Sequence, residues 1–136
     1  MLSRIHLSLS FFPFEIFTHL PEFCGYISGQ IVRTGTWEAE KTYRILSLMK
    51  EATASSSRDH VVFLDVGANL GWYTTSVAAQ GINVIAIEPS SLNTDLLQAS
   101  LSRNGTSLSL FLSLCNITNK RNNQPHFRHR KFCRFT

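Results

Sequence analysis

The chain has 136 residues, which allows one domain and leaves no room for two. Hydrophobic residues make up 43% and charged residues 16%, which excludes a chain disordered throughout, because disorder needs low hydrophobicity and high charge. The net charge of +4 is unevenly placed: residues 1–115 hold seven Lys/Arg and all nine Asp/Glu, whereas residues 116–136 hold six Lys/Arg and no acid.

The first 24 residues read as an irregular, Phe-rich segment in which Phe11, Phe12, Phe14, Phe17 and Phe23 pack on the domain. Arg4 ahead of an apolar run has the order of a secretory signal. His6, Ser8, Ser10, Pro13 and Glu15 interrupt that run, and no small-residue cleavage site follows. No window offers the roughly 20 apolar residues of a transmembrane helix. The expectation is a cytoplasmic chain without a membrane span. Cys24, Cys115 and Cys133 form no Cys-x-x-Cys pair, so neither a disulfide scaffold nor a metal site is expected.

Residues 36–50 carry Ala39, Tyr43, Leu46 and Met49 at helical spacing, with Thr36 as the expected N-cap. Residues 53–59 read as a polar linker. Residues 61–66 form a nearly continuous apolar run rich in β-branched residues, which suits a strand buried on both faces. The turn from Gly67 to Gly71 leads into a helix over about 72–80 that ends near Gly81. Residues 84–87 are a second buried strand. Ser90 or Ser91 caps a third helix, with Leu92, Leu96, Leu97 and Leu101 as its apolar face and Asn104-Gly105 at its end. Leu108, Leu110 and Leu112 alternate with polar residues, the period of a third strand. Alternating helices and strands imply right-handed crossovers and a parallel sheet with helices on its faces: an α/β fold. Residues 113–136 read as a basic, disordered tail.

The chemistry sits in Asp65-Val-Gly67-Ala68-Asn69-Leu-Gly71 and, 17 residues beyond Gly71, Glu88. Gly67 lets the chain turn with positive φ and lets a ligand approach the backbone, and Gly71 allows the helix to pack tightly on the strand. Asp65 and Glu88 end adjacent parallel strands, so both carboxylates open into one crevice. The first can face a cation. The second is placed to take both hydroxyls of a ribose. A dinucleotide would want glycine where Asn69 stands, so an NAD-dependent oxidoreductase is disfavoured. S-adenosyl-L-methionine, which carries a sulfonium and an ammonium, suits the acidic turn better.

The string Phe63-Leu-Asp65-Val-Gly-Ala-Asn-Leu-Gly-Trp-Tyr-Thr, followed by Val84-Ile-Ala-Ile-Glu88-Pro89, Asn93, Leu97 and Asn104, resembles the FkbM family of methyltransferases. Residues 27–38, ending in Gly35-Thr-Trp37-Glu38, resemble that family's upstream segment. The resemblance covers about residues 25–112. It implies a Rossmann-like class I methyltransferase domain that binds S-adenosylmethionine and methylates oxygen on a small molecule or sugar. By matching positions, Asp65, Gly67, Ala68, Asn69 and Gly71 would lie along the methionine part of the cofactor, and Glu88 would hold the ribose. No acid follows Asp95, so the family's later Asp-x-Glu-Gly element has no counterpart. The expectation is therefore the cofactor-binding half of such a fold, truncated after about three parallel strands, with a non-catalytic remnant or binding module as the alternative. No catalytic base is assigned. Arg128, Arg130, Lys131 and Arg134, interleaved with Phe127, His129, Phe132 and Phe135, could grip a single-stranded nucleic acid, but a solvated tail is the ordinary reading and nucleic acid is not an expected partner.

Overall fold

The computed structural model describes residues 14–20, 26–106, 110–112 and 133–135. Its elements in chain order are β1 (Ile16–Thr18), α1 (Ile27–Thr34), α2 (Ala39–Ser55), a 3-10 turn (Arg58–His60), β2 (Val62–Val66), α3 (Trp72–Ala78), β3 (Asn83–Ile87), α4 (Ser91–Arg103), β4 (Leu110–Leu112) and β5 (Cys133–Phe135). The order from α2 to β4 alternates as the hydrophobic pattern demands. β2, β3 and β4 form a small parallel sheet in that order, with Val62 opposite Asn83 and Ile85 opposite Leu110. The fold is mixed α/β.

Successive right-handed crossovers that step the same way put their helices on the same face. Phe63 and Asp65 lie opposite Val84 and Ala86 on the covered face. Val84 and Ala86 pack there against Val77 of α3, Leu97 and Leu101 of α4, and Leu46 of α2. Each buried leucine of this kind is worth roughly 1.5–3 kcal/mol. The other face is open among the described residues: Val62, Leu64 and Val66 are 47%, 56% and 70% exposed. The expectation of a strand buried on both faces is thus wrong for β2. β2 is the edge of the sheet, and both crossovers step away from it.

The α2 helix starts later than its sequence pattern suggests. Its N-cap is Glu38, in the left-handed region (φ 43°, ψ 54°), not Thr36, and it runs through the first residues of the expected linker to Ser55. Of the expected stripe, Leu46 and Met49 face the core with Ile45 and Ala52 beside them, whereas Ala39 and Tyr43 are exposed and Thr42 is buried in place of Tyr43. In α4 the N-cap is Ser90, whose hydroxyl accepts from the Asn93 amide, and Leu96, Leu97 and Leu101 are buried as expected. Leu92, in the first turn, is exposed instead.

A second core forms where the N-terminal segment crosses the helices. Ile16, Ile31, Leu70, Trp72 and Leu96 are buried together, with Phe14 and Phe17 against them. The Phe14 ring meets Trp72 edge-on at 5.4 Å. Phe11, Phe12 and Phe23 lie outside the described residues. The segment is not irregular throughout, because Ile16–Thr18 pairs antiparallel with Cys133–Phe135 of the basic tail. It also runs along α4 as a strap. Glu15 N donates to Asn104 Oδ1 (2.7 Å), Asn104 Nδ2 donates to Glu15 O (2.6 Å), and Phe17 N donates to Ser100 Oγ (2.9 Å). An Arg103–Glu15 ion pair (2.7 Å) joins them.

Candidate functional site

β2 and β3 end side by side, with Val66 opposite Ile87. The chain beyond β2 folds over the end of β3: the amides of Gly67 and Ala68 both donate to the Ile87 carbonyl, at 2.8 and 3.1 Å. Gly67 (φ 80°), Asn69 (φ 53°) and Gly71 (φ 84°) are all left-handed, which is how five residues reverse direction before α3. Asn69 tolerates this conformation because its own Oδ1 accepts from the Leu70 amide at 2.7 Å. A Cβ on Gly67 would meet nothing within 4 Å, so the space beside it is open. A Cβ on Gly71 would stand 2.1 Å from Leu97 Cδ1. Gly71 thus serves the contact between the turn and α4, not the expected packing of α3 on the strand.

The turn and the second carboxylate meet directly. The Asn69 amide donates to Glu88 Oε2 at 2.7 Å, and the Ser90 amide donates to Oε1 at 2.8 Å. Asn93 Nδ2 adds a longer contact to Oε1, 3.4 Å. Glu88 is only 5% exposed. A carboxylate has about four acceptor positions, and these donors fill two on Oε1 and one on Oε2. One position remains on Oε2 for an outside hydroxyl, where the sequence suggested room for two.

Asp65 is 8% exposed and accepts from Thr74 Oγ1 at 2.5 Å. Burial pushes its carboxyl above the usual range, the Thr74 hydroxyl and amide hold it down in part, and the charge of Glu88 adds to the rise. The ionised form is therefore costly, and a cation at this place would relieve the cost.

A third acid, Glu38, is linked to Asp65 through Tyr73, whose phenol feels both charges, and comes from a part of the chain the sequence left without a role. Tyr73 donates its hydroxyl to Glu38 Oε2, and Lys41 bonds Oε1. These bonds, that from Lys41 first, hold Glu38 below its ordinary range. Burial, then Glu38, pushes the Tyr73 phenol well up, and Asp65 contributes in the same direction. The resemblance singled out Trp37-Glu38, but nothing in a sequence shows the left-handed backbone that turns Glu38 toward α3. Trp72 is buried in the second core, and its Nε1 donates to Thr42 Oγ1 at 2.9 Å.

All six expected cofactor residues thus lie in one place: Asp65 at the end of β2, Gly67, Ala68, Asn69 and Gly71 in the turn, and Glu88 beyond β3. Among the described residues no cluster of three His, Cys, Asp or Glu could hold a metal. No described helix is long and apolar enough to cross a membrane. Of the histidines, His60 lies in the 3-10 turn at the opposite end of β2, and His19 lies beside Asn93. His6, His126 and His129, and the tail residues considered for nucleic acid up to Phe132, lie outside the described residues. No family model, curated protein or solved structure matches the chain.

Proposed function

We propose that this chain binds S-adenosyl-L-methionine in the crevice at the ends of β2 and β3, as the cofactor-binding part of a Rossmann-like methyltransferase of the FkbM kind. The observation that carries the reading is the bond from the Asn69 amide to Glu88 Oε2, which joins the glycine turn of one parallel strand to the carboxylate of the next. Ligands of α/β sheets bind in this crevice. The residues present suit the cofactor's chemistry. Asp65 offers a buried, strained negative charge to its ammonium, and the open side of Gly67 admits its methionine part against the backbone. Glu88 offers the acceptor position left on Oε2 to a ribose hydroxyl. The cofactor, when bound, supplies a methyl carbon activated by a sulfonium. The chain's residues align it, and alignment in such displacements can be worth roughly 7–11 kcal/mol. The acceptor would be a hydroxyl of a small molecule or sugar.

The second reading is a binding module without transferase activity, favoured by the exposed Val62, Leu64 and Val66, which leave one sheet face available for contact. Isothermal titration with S-adenosylhomocysteine tests the site. The wild-type chain should bind, and Glu88→Gln should weaken binding about tenfold or more, since hydrogen bonds to a charged acceptor are worth ~1.5–3 kcal/mol. Equal affinity of the two would rule out Glu88 as a ligand residue. A labelled-methyl transfer assay then separates enzyme from binding module.

A further inference from the structure

Beyond Glu88, the geometry points to Asn93 as a second reader of the ligand's vicinal diol, with His19 on the N-terminal strap as the residue that orients it. This inference rests on the cofactor reading above. The Ser90 amide donates to Glu88 Oε1, so Oε1 acts as an acceptor, and Asn93 must turn its NH2 toward it. That choice leaves Asn93 Oδ1 facing the strap, where it meets His19 Nε2 at 2.9 Å. An amide oxygen accepts only, so Nε2 must carry the hydrogen. The polarity runs one way, from His19 N–H to the Asn93 carbonyl and from the Asn93 NH2 to Glu88.

The Asn93 NH2 has two hydrogens, and Glu88 takes one. The second is a donor beside an acceptor whose open position is on Oε2. A diol offers both an O–H to give and an oxygen lone pair to receive. Glu88 would take the first and Asn93 would serve the second. The amide group of an asparagine turns over readily. His19 removes that freedom, because the flipped amide would set two oxygens, Oδ1 and Glu88 Oε1, against each other and two hydrogen donors at the strap. His19 is held for this task by the strap's own bonds to Ser100 and Asn104. The strap is thereby part of the binding site, although its residues belong to none of the motifs.

Titration of the full chain with S-adenosylhomocysteine and with its 2′,3′-dideoxy analogue tests both roles. Asn93→Leu should weaken S-adenosylhomocysteine roughly three- to tenfold, the worth of one hydrogen bond. It should leave the affinity for the dideoxy analogue unchanged. His19→Phe should lose roughly threefold against the diol alone, and His19→Gln, which keeps an N–H, should restore it. An equal loss against both ligands would mean a structural role and overturns the proposal. Unchanged affinity of both variants for S-adenosylhomocysteine overturns it as well, while leaving the cofactor reading intact. A wild-type chain that binds neither ligand overturns both.

Discussion

Gly67 and Gly71 look equivalent in the sequence, and the structure separates them. Both need positive φ, which costs an alanine about 1–2 kcal/mol. Only at Gly71 would the new methyl collide, with Leu97 of a buried cluster. Overpacking adds about 1–3 kcal/mol. Urea unfolding should therefore show Gly71→Ala destabilised by roughly 2–5 kcal/mol and Gly67→Ala by roughly 1–2 kcal/mol. Equal losses would contradict this assignment. The residues of the turn were legible because backbone geometry there demands glycine, and because two carboxylates at adjacent strand ends mark the crevice of a parallel sheet. His19, Glu38 and Thr74 were not legible. Each reaches the site across a distance in sequence or from a local backbone state that residue type does not encode: His19 from 74 positions before Asn93, and Glu38 through a left-handed φ that disfavours glutamate.

At the scale of elements, the apolar patterns gave the order of helices and strands but misjudged which faces they bury. In α2 Leu46 and Met49 face the core as expected, but, in place of Tyr43, Thr42 is buried as a polar bridge. Its hydroxyl donates to the backbone carbonyls of Trp37 and Glu38 and accepts from Trp72 Nε1. A threonine in such a place does not register in a hydrophobic count. Thr42→Val keeps the shape and removes the acceptor, leaving the buried indole N–H unpaired. It should cost about 1–3 kcal/mol in chemical unfolding, while Tyr43→Ala, on the exposed neighbour, should cost much less. The α1 helix escaped the sequence reading for a different reason. It is eight residues long, shorter than isolated helices sustain in water, and it owes its stability to Ile31 in the second core.

For the whole molecule, the decisive fact is that the described helices that cover the parallel sheet lie on one face. An apolar run such as 61–66 cannot say whether both sides of a strand are covered, because continuous hydrophobicity is compatible with either. The side bearing Val62, Leu64 and Val66 at the sheet edge is a surface of the kind that associates. Sedimentation at rising protein concentration should show the wild type self-associating. Leu64→Thr with Val66→Thr should remain monomeric at nearly unchanged stability, since both sites are more than half exposed. A wild type that stays monomeric at all concentrations would mean the face is not sticky. The bond between Asn69 and Glu88 has its own meaning at this scale. Side chains of a strand alternate, so a slip of β3 by one residue against β2 would turn Glu88 to the wrong side and leave the Asn69 amide without its acceptor. The site is in this sense a proofreader of its own scaffold: a mispaired sheet has no crevice to offer, and any ligand that binds there selects the correctly registered chain from among its misfolded copies.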